Sequence, residues 1–208
     1  MKVCRQHGTS AGFTLVEMLA VLVIVTVLFT FVVTRVLRGE DLVRAENTQQ
    51  FLRQFAAMIS EYENERGDYP ASSFPSSMDP KPTSLNSGAE MLFLSLFAKD
   101  RSARELEESR LTNSDVDQAR VSLSSFTSAE VFEIADDWEN PIAYFHRRDY
   151  GKAVNYATID PETGELIEAP VRARVSSKTG DPFNKQSFQL ISAGPDGVFD
   201  TEDDIGNF

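Results

Sequence analysis

Apolar positions fall into one dense run near the N-terminus, a helical rhythm after it, and short clusters beyond. Between residues 8 and 34 Glu17 is the single charged side chain, and residues 18–33 are almost wholly aliphatic. Residues 13–34 supply 22 mostly apolar positions, and a helix crossing a bilayer core needs roughly 20. Past Arg35 the apolar residues thin to Phe51, Phe55, Met58, Ile59 and Tyr62, separated by polar ones at helical spacing. The two runs join into one predicted helix over residues 13–66. Gly39 interrupts it at a cost of about 1 kcal/mol relative to Ala, and Gly67-Asp68-Tyr69-Pro70 stops it. The Phe51, Phe55 and Ile59 stripe needs a surface to cover it, and a following sheet is the expected one.

The remainder reads as a mixture of short elements. Residues 71–87 are rich in Pro and Ser and predict a connection, ordered or mobile. The cluster Met91, Leu92, Phe93, Leu94, Leu96 and Phe97 predicts a short buried helix over 89–99. The charged stretch 102–120 predicts surface helix. Strands are expected from about Val131: residues 132–134 and 142–145, flanking Asp136-Asp137-Trp138-Glu139-Asn140-Pro141, then 153–159. The turn at 160–164 leads to a long return ending in 171–175, and 187–192 is expected as the last strand, with Phe188 and Leu190 alternating against Gln189 and Ile191. This order predicts an α+β fold, a long N-terminal helix laid on a small C-terminal antiparallel sheet.

Composition narrows the chemistry. The net charge is -12, from 20 bases and 32 acids, which excludes nucleic acid as an expected partner, since phosphate contacts need clustered Lys and Arg. One cysteine, Cys4, and two histidines, His7 and His146, build neither an intramolecular disulfide nor a Cys/His zinc cluster. His146 beside Arg147 and Arg148 reads as a surface residue at a strand end, and Trp138 as packing beside Pro141. There is no nucleophile–base motif and no Gly-rich phosphate loop, so no enzymatic activity is expected.

The N-terminal run does not suit a secretory signal, because no small-residue cleavage site follows it. A plain signal anchor leaves Glu17 unexplained, since a carboxylate in a span is costly and calls for a partner. The string Gly12-Phe13-Thr14-Leu15-Val16-Glu17, preceded by Lys2 and Arg5 and followed by the apolar run, resembles the signal of type IV pilins and pseudopilins. That resemblance implies cleavage by a prepilin peptidase between Gly12 and Phe13, N-methylation of Phe13, and Glu17 as the fifth residue of the processed chain. The new Phe13 ammonium of one subunit would then pair with Glu17 of its neighbour in a helical filament, offsetting part of the desolvation of both charges. Thr34 stands where many such proteins have Pro, so an unbroken helix is expected.

Three further segments are similar to the major pseudopilins of type II secretion: the helix-ending Gly67-Asp68-Tyr69-Pro70, the segment Asp137-Trp138-Glu139-Asn140-Pro141 with Glu139 in place of the usual Gly, and the C-terminal acidic loop. In that loop Asp196, Asp200, Glu202, Asp203 and Asp204 lie within nine residues, and no Lys or Arg follows Lys185. Uncompensated acids repel one another, and a hard divalent cation that takes about 6–8 oxygens relieves this; a solvated acidic tail is the alternative. An EF-hand does not fit, because Thr201 falls at the sixth position from Asp196, where that loop needs Gly. The spacing of Asp196 to the Asp203–Asp204 pair matches the pseudopilin pattern. It implies a calcium site of Asp196, Asp203, Asp204 and the Ala193 carbonyl, with Asp200 and Glu202 facing solvent.

The resemblance divides the chain into a leader at 1–12, a membrane and filament-core helix at 13–34, its amphipathic continuation at 35–67, and a periplasmic domain at 68–208. That domain holds an insertion at about 71–131 and the calcium loop at about 192–205. The implied function is a structural subunit of a type II secretion pseudopilus, anchored by a single pass in the bacterial inner membrane. Its implied partners are its own copies, other pseudopilins, the prepilin peptidase and the inner-membrane assembly platform. A type IV pilus or competence-type pilin, and a membrane-anchored calcium-binding module that never polymerises, are the alternatives.

Overall fold

The computed structural model describes residues 14–78, 83–99, 106–119 and 121–208. Helix α1, Leu15–Arg66, joins the apolar run to its amphipathic continuation and passes Thr34 and Gly39 without a break. It ends at Gly67, whose φ of +81° suits a residue without Cβ and whose amide donates to the Glu63 carbonyl at 2.7 Å. The chain forms two compact units, one ending at Leu42 and one spanning Val43–Phe208. In the first, Leu15–Val33 is long and apolar enough to cross a membrane, and none of it is buried within the chain.

The second unit is the α+β part. Helix α2 is Ser87–Leu96, and the strands are β1 Leu111–Thr112, β2 Glu133–Ile134, β3 Ala143–His146, β4 Val154–Ile159, β5 Leu166–Val171, β6 Phe188–Ser192 and β7 Ile205–Gly206. All pairings are antiparallel: β1 with β2, β4 with β5, and a three-stranded sheet in the order β3-β6-β7. The central sheet is covered on both faces. Ile142, Tyr144, Phe188 and Leu190 meet Leu52, Phe55 and Ile59 of α1 and Leu92, Phe93 and Leu96 of α2. Ala143, Phe145 and Ile191 meet Tyr156, Val171 and Phe199. The α1 stripe thus has its cover, and Leu52, fully buried, belongs to it as well.

Several expectations change. β6 is buried at every position rather than alternately, because a second layer lies where solvent was expected. Gln189 survives burial by accepting from the Arg174 amide at 2.7 Å and donating to the Arg174 and Phe183 carbonyls at 3.0 and 2.8 Å. The last strand is β7, not residues 187–192; Ser192 pairs with Ile205 and so closes the acidic loop at its base. The return after the 160–164 turn is immediate, with Ile159 opposite Leu166, so 166–171 rather than 171–175 forms the partner strand. The described part of the expected surface helix at 102–120 is a single 3₁₀ turn, Glu108–Arg110, followed by β1. His146 is buried, with Nε2 3.3 Å from Asp68 Oδ1 and Nδ1 accepting from the Arg148 amide.

Helix α2 approaches the sheet closely. A Cβ on Gly88 would lie 2.4 Å from the Tyr144 carbonyl oxygen and 2.5 Å from the Tyr156 hydroxyl. Only a bare Cα permits that approach, which also lets the Tyr156 hydroxyl accept from the Tyr144 amide at 3.0 Å.

Candidate functional site

At the N-terminus Thr14 and Glu17 form a reciprocal cap. Thr14 donates through its amide and its hydroxyl to Glu17 Oε2, both at 2.8 Å, and the Glu17 amide donates back to Thr14 Oγ1 at 3.3 Å. Thr-x-x-Glu is the capping-box pattern, which satisfies helix-start amides that would otherwise be open. The pattern Thr14-Leu15-Val16-Glu17 is visible in the sequence, yet reading Glu17 as a filament residue hid this second role. Gly12 and Phe13 lie outside the described residues.

The C-terminal loop is built on the Asp136–Pro141 corner. Asp136 is buried; its Oδ1 accepts from the amides of Trp138 and Asn140 at 2.9 and 3.0 Å, and its Oδ2 from Ser192 Oγ at 2.6 Å. Ser192 Oγ in turn accepts from the Gly194 amide at 3.1 Å, the first turn of the loop. Burial pushes the Asp136 carboxyl up to about 6 despite these hydrogen bonds. The neighbouring Asp137 accepts from Thr48 of α1 at 2.9 Å and pairs with Arg110 at 3.2 Å. Asn140 Oδ1 accepts from the Ile159 amide at 2.7 Å, and Thr158 Oγ1 donates to the Gly197 carbonyl at 2.6 Å. One corner therefore ties α1, β4, β6 and the acidic loop together. Glu139 is exposed and has a φ of +65°.

Within the loop, Gly194 and Gly197 both have φ of +67°. A Cβ on Gly194 would stand 2.5 Å from the Asp203 carbonyl oxygen, and one on Gly197 2.7 Å from that of Ile159. Ala193 is buried, Asp200 and Glu202 are exposed, and Asp196, Asp203 and Asp204 lie between. The Asp204 side chain is only 1% exposed, and its Oδ1 has no hydrogen-bond partner. Its Oδ2 accepts from the Asp200 amide at 2.9 Å and lies 3.2 Å from Arg174 Nη1. Burial pushes its carboxyl up to about 6, and the charges of Asp203 and Asp196 add to that against Arg174. Asp196 is raised as well, first by burial and then by Asp203, and its Oδ1 accepts from the Val198 amide at 2.8 Å.

These groups fit a hard cation in donor type, and the open Asp204 Oδ1 is the oxygen such an ion would take. Asp196, Asp203 and Asp204 act on one another electrostatically. Among the described residues, however, the acidic trio whose oxygens all lie within 4.8 Å of one another is elsewhere: Glu90, Asp115 and Asp117. No sequence spacing announces that trio, because Glu90 stands on α2 and the two aspartates follow β1, more than twenty residues later.

The comparison with known families concerns the N-terminus. Residues 8–33 match the family described as the prokaryotic N-terminal methylation motif. The chain carries a type IV pilin-like processing signal. This motif implies in general processing by a prepilin peptidase and assembly into filaments, and with the apolar helix it fits a single-pass membrane anchor. No curated protein and no solved structure matches the chain.

Proposed function

We propose that this pilin-like subunit is a major-pseudopilin-type component of a type II secretion system, cut between Gly12 and Phe13 and assembled into a short periplasmic filament that supports protein export. The observation that carries the reading is the pairing of the methylation motif with an acidic loop hung from the Asp136–Pro141 corner through Ser192. Calcium is the ligand proposed for that loop, held by Asp196, Asp203, Asp204 and the Ala193 carbonyl; when bound it supplies the positive charge that the clustered acids lack. The chain's own residues do the rest: Ser192 and Asp136 fix the first turn, and the Ser192–Ile205 pair closes the base. The globular domain faces the periplasm in this reading.

One observation favours the second reading, an anchored protein that does not polymerise: Glu17 already has a partner, Thr14, within its own chain. Two substitutions separate the cap from the filament role. Glu17→Gln keeps a capping-box residue but removes the charge, whereas Glu17→Ala removes both. In a host deleted for this chain, the wild type should restore export of folded proteins and subunit crosslinking, and both variants should fail. Full restoration by Glu17→Gln would assign Glu17 to the cap alone. Unimpaired export after deletion would remove the secretion role itself.

A further inference from the structure

The insertion holds an acidic cluster that the pilin-like reading does not use. Glu90 lies in the first turn of α2 and is 0% exposed, and neither of its carboxylate oxygens has a hydrogen-bond partner. It points at Asp115 and Asp117, and one oxygen from each of the three lies within 4.8 Å of the other two. Asp117 Oδ1 is likewise buried without a partner.

Among the described residues, neutral groups hold these acids in place. Asn113 grips Asp117 from both sides, accepting from its amide at 3.1 Å and donating to its carbonyl at 3.0 Å. Thr83 donates its hydroxyl to Asp115 and its amide to Asp117 Oδ2 at 3.4 Å. Asn86, fully buried in a left-handed conformation (φ 53°), donates to Ser114 Oγ and Glu133 Oε1 at 2.7 and 2.6 Å and accepts from the Ala157 amide at 2.9 Å. Glu133 is thereby occupied. Each of these partners is neutral. Burial, followed by the charges of Asp117, Glu133 and Asp115, pushes the Glu90 carboxyl up to about 11.

We propose that Glu90, Asp115 and Asp117 form a divalent-cation site, selective for calcium, that fastens the segment after β1 to α2. The donors are all hard carboxylate oxygens, which select Ca²⁺ or Mg²⁺ over soft metals. The ligand set favours the larger ion: Ca²⁺ takes several protein carboxylates, whereas Mg²⁺ keeps most of its waters and is usually held by only one or two. A bound cation gives the two open Glu90 oxygens and Asp117 Oδ1 the partner that no described residue provides. It closes a link between two segments separated by more than twenty residues of chain. The competing occupant is a proton shared between Glu90 and Asp117.

The test uses the full chain in detergent micelles, carrying Asp203→Ala and Asp204→Ala so that the C-terminal loop cannot contribute. Equilibrium dialysis against radioactive calcium at about 2 mM, above the range of extracellular-type sites, should find about one ion bound per chain. Adding Glu90→Gln, which keeps size and polarity, should weaken that binding at least tenfold. Asp115→Asn, at a half-exposed position, should do the same, and both should keep the parent's circular dichroism. Magnesium at equal concentration should displace little of the ion. No bound calcium in the loop-deficient parent, or equal binding after Glu90→Gln, would overturn the site and leave the shared proton. Because the C-terminal loop is disabled throughout, failure here leaves the reading of that loop untouched.

Discussion

Glu139 shows how one residue can stand against its own backbone. Its φ of +65° places it in the left-handed region, where a Cβ crowds the following carbonyl at a cost of about 1–2 kcal/mol. Its side chain is exposed, so truncation loses little. Glu139→Gly should therefore raise the stability of the globular unit by about 1 kcal/mol, after the larger chain entropy of Gly is set against the relieved strain. Urea unfolding followed by Trp138, the single tryptophan, reads this directly, and an unchanged or lower midpoint would refute it. Glu17 differs in kind: its cap is legible as Thr-x-x-Glu, while the filament role proposed for it depends on its charge, and the Gln and Ala variants separate the two.

Among the elements, α2 and the acidic loop carry the sharpest consequences. Gly88→Ala drives a methyl into the Tyr144 carbonyl and the Tyr156 hydroxyl, neither of which can retreat from a fully buried sheet. Overpacking of this kind costs about 1–3 kcal/mol, although Ala is the better helix former. A midpoint equal to wild type would mean that α2 can lift away. In the acidic loop, burial separates residues that look alike in sequence. The Asp204 side chain is 1% exposed with an open oxygen, while Asp200 is 92% exposed and paired with Arg174. A calcium ion at a hundredfold excess over its Kd adds about 2.7 kcal/mol. Asp204→Asn should remove far more of the calcium-dependent rise in melting temperature than Asp200→Asn, and equal effects would argue for a solvated tail.

Across the whole molecule, buried acids set the response to pH. Burial raises Asp136 from 3.8 to about 6 and Glu133 from 4.5 to about 8. Both carboxyls hold their protons more tightly in the folded state than in the unfolded one. Their stabilisation is complete below pH 4 and is lost as pH rises through about 6 and then about 8. For Asp136 alone the loss is on the order of 3 kcal/mol, at 1.36 kcal/mol per unit. Asp160 acts the other way: the amides of Thr163 and Glu162 hold its carboxyl below 3.8, so its contribution fades only in stronger acid. In chelator the Trp138 melting temperature should thus be higher near pH 5 than near pH 8. Asp136→Asn should flatten the part between pH 5 and 7, and a melting temperature that rises steadily toward pH 8 would contradict this account.

What the sequence determined by itself is what local pattern and covalent order dictate. The apolar run, Glu17 alone within it, the stop at Gly67 and the strands near 132–134, 142–145 and 153–159 each follow from periodicity or turn chemistry confined to a few neighbours. So does the acidity of the final loop. Tertiary structure decided which faces are buried and which distant charges meet. Alternation along 187–192 assumed solvent on one side of a sheet, but the β4–β5 hairpin covers that side, so Gln189 and Ile191 are buried with Phe188 and Leu190. His146 is buried for a related reason, next to Tyr69 and Asp68, which the chain reaches only after α1 has ended. Glu90 sits in the first turn of a short helix. Its burial beside Asp115 and Asp117 arises because Gly88 lets α2 settle onto the sheet while Asn86 and Asn113 hold the Ser114–Asp117 segment beside it, a meeting that no spacing along the chain encodes.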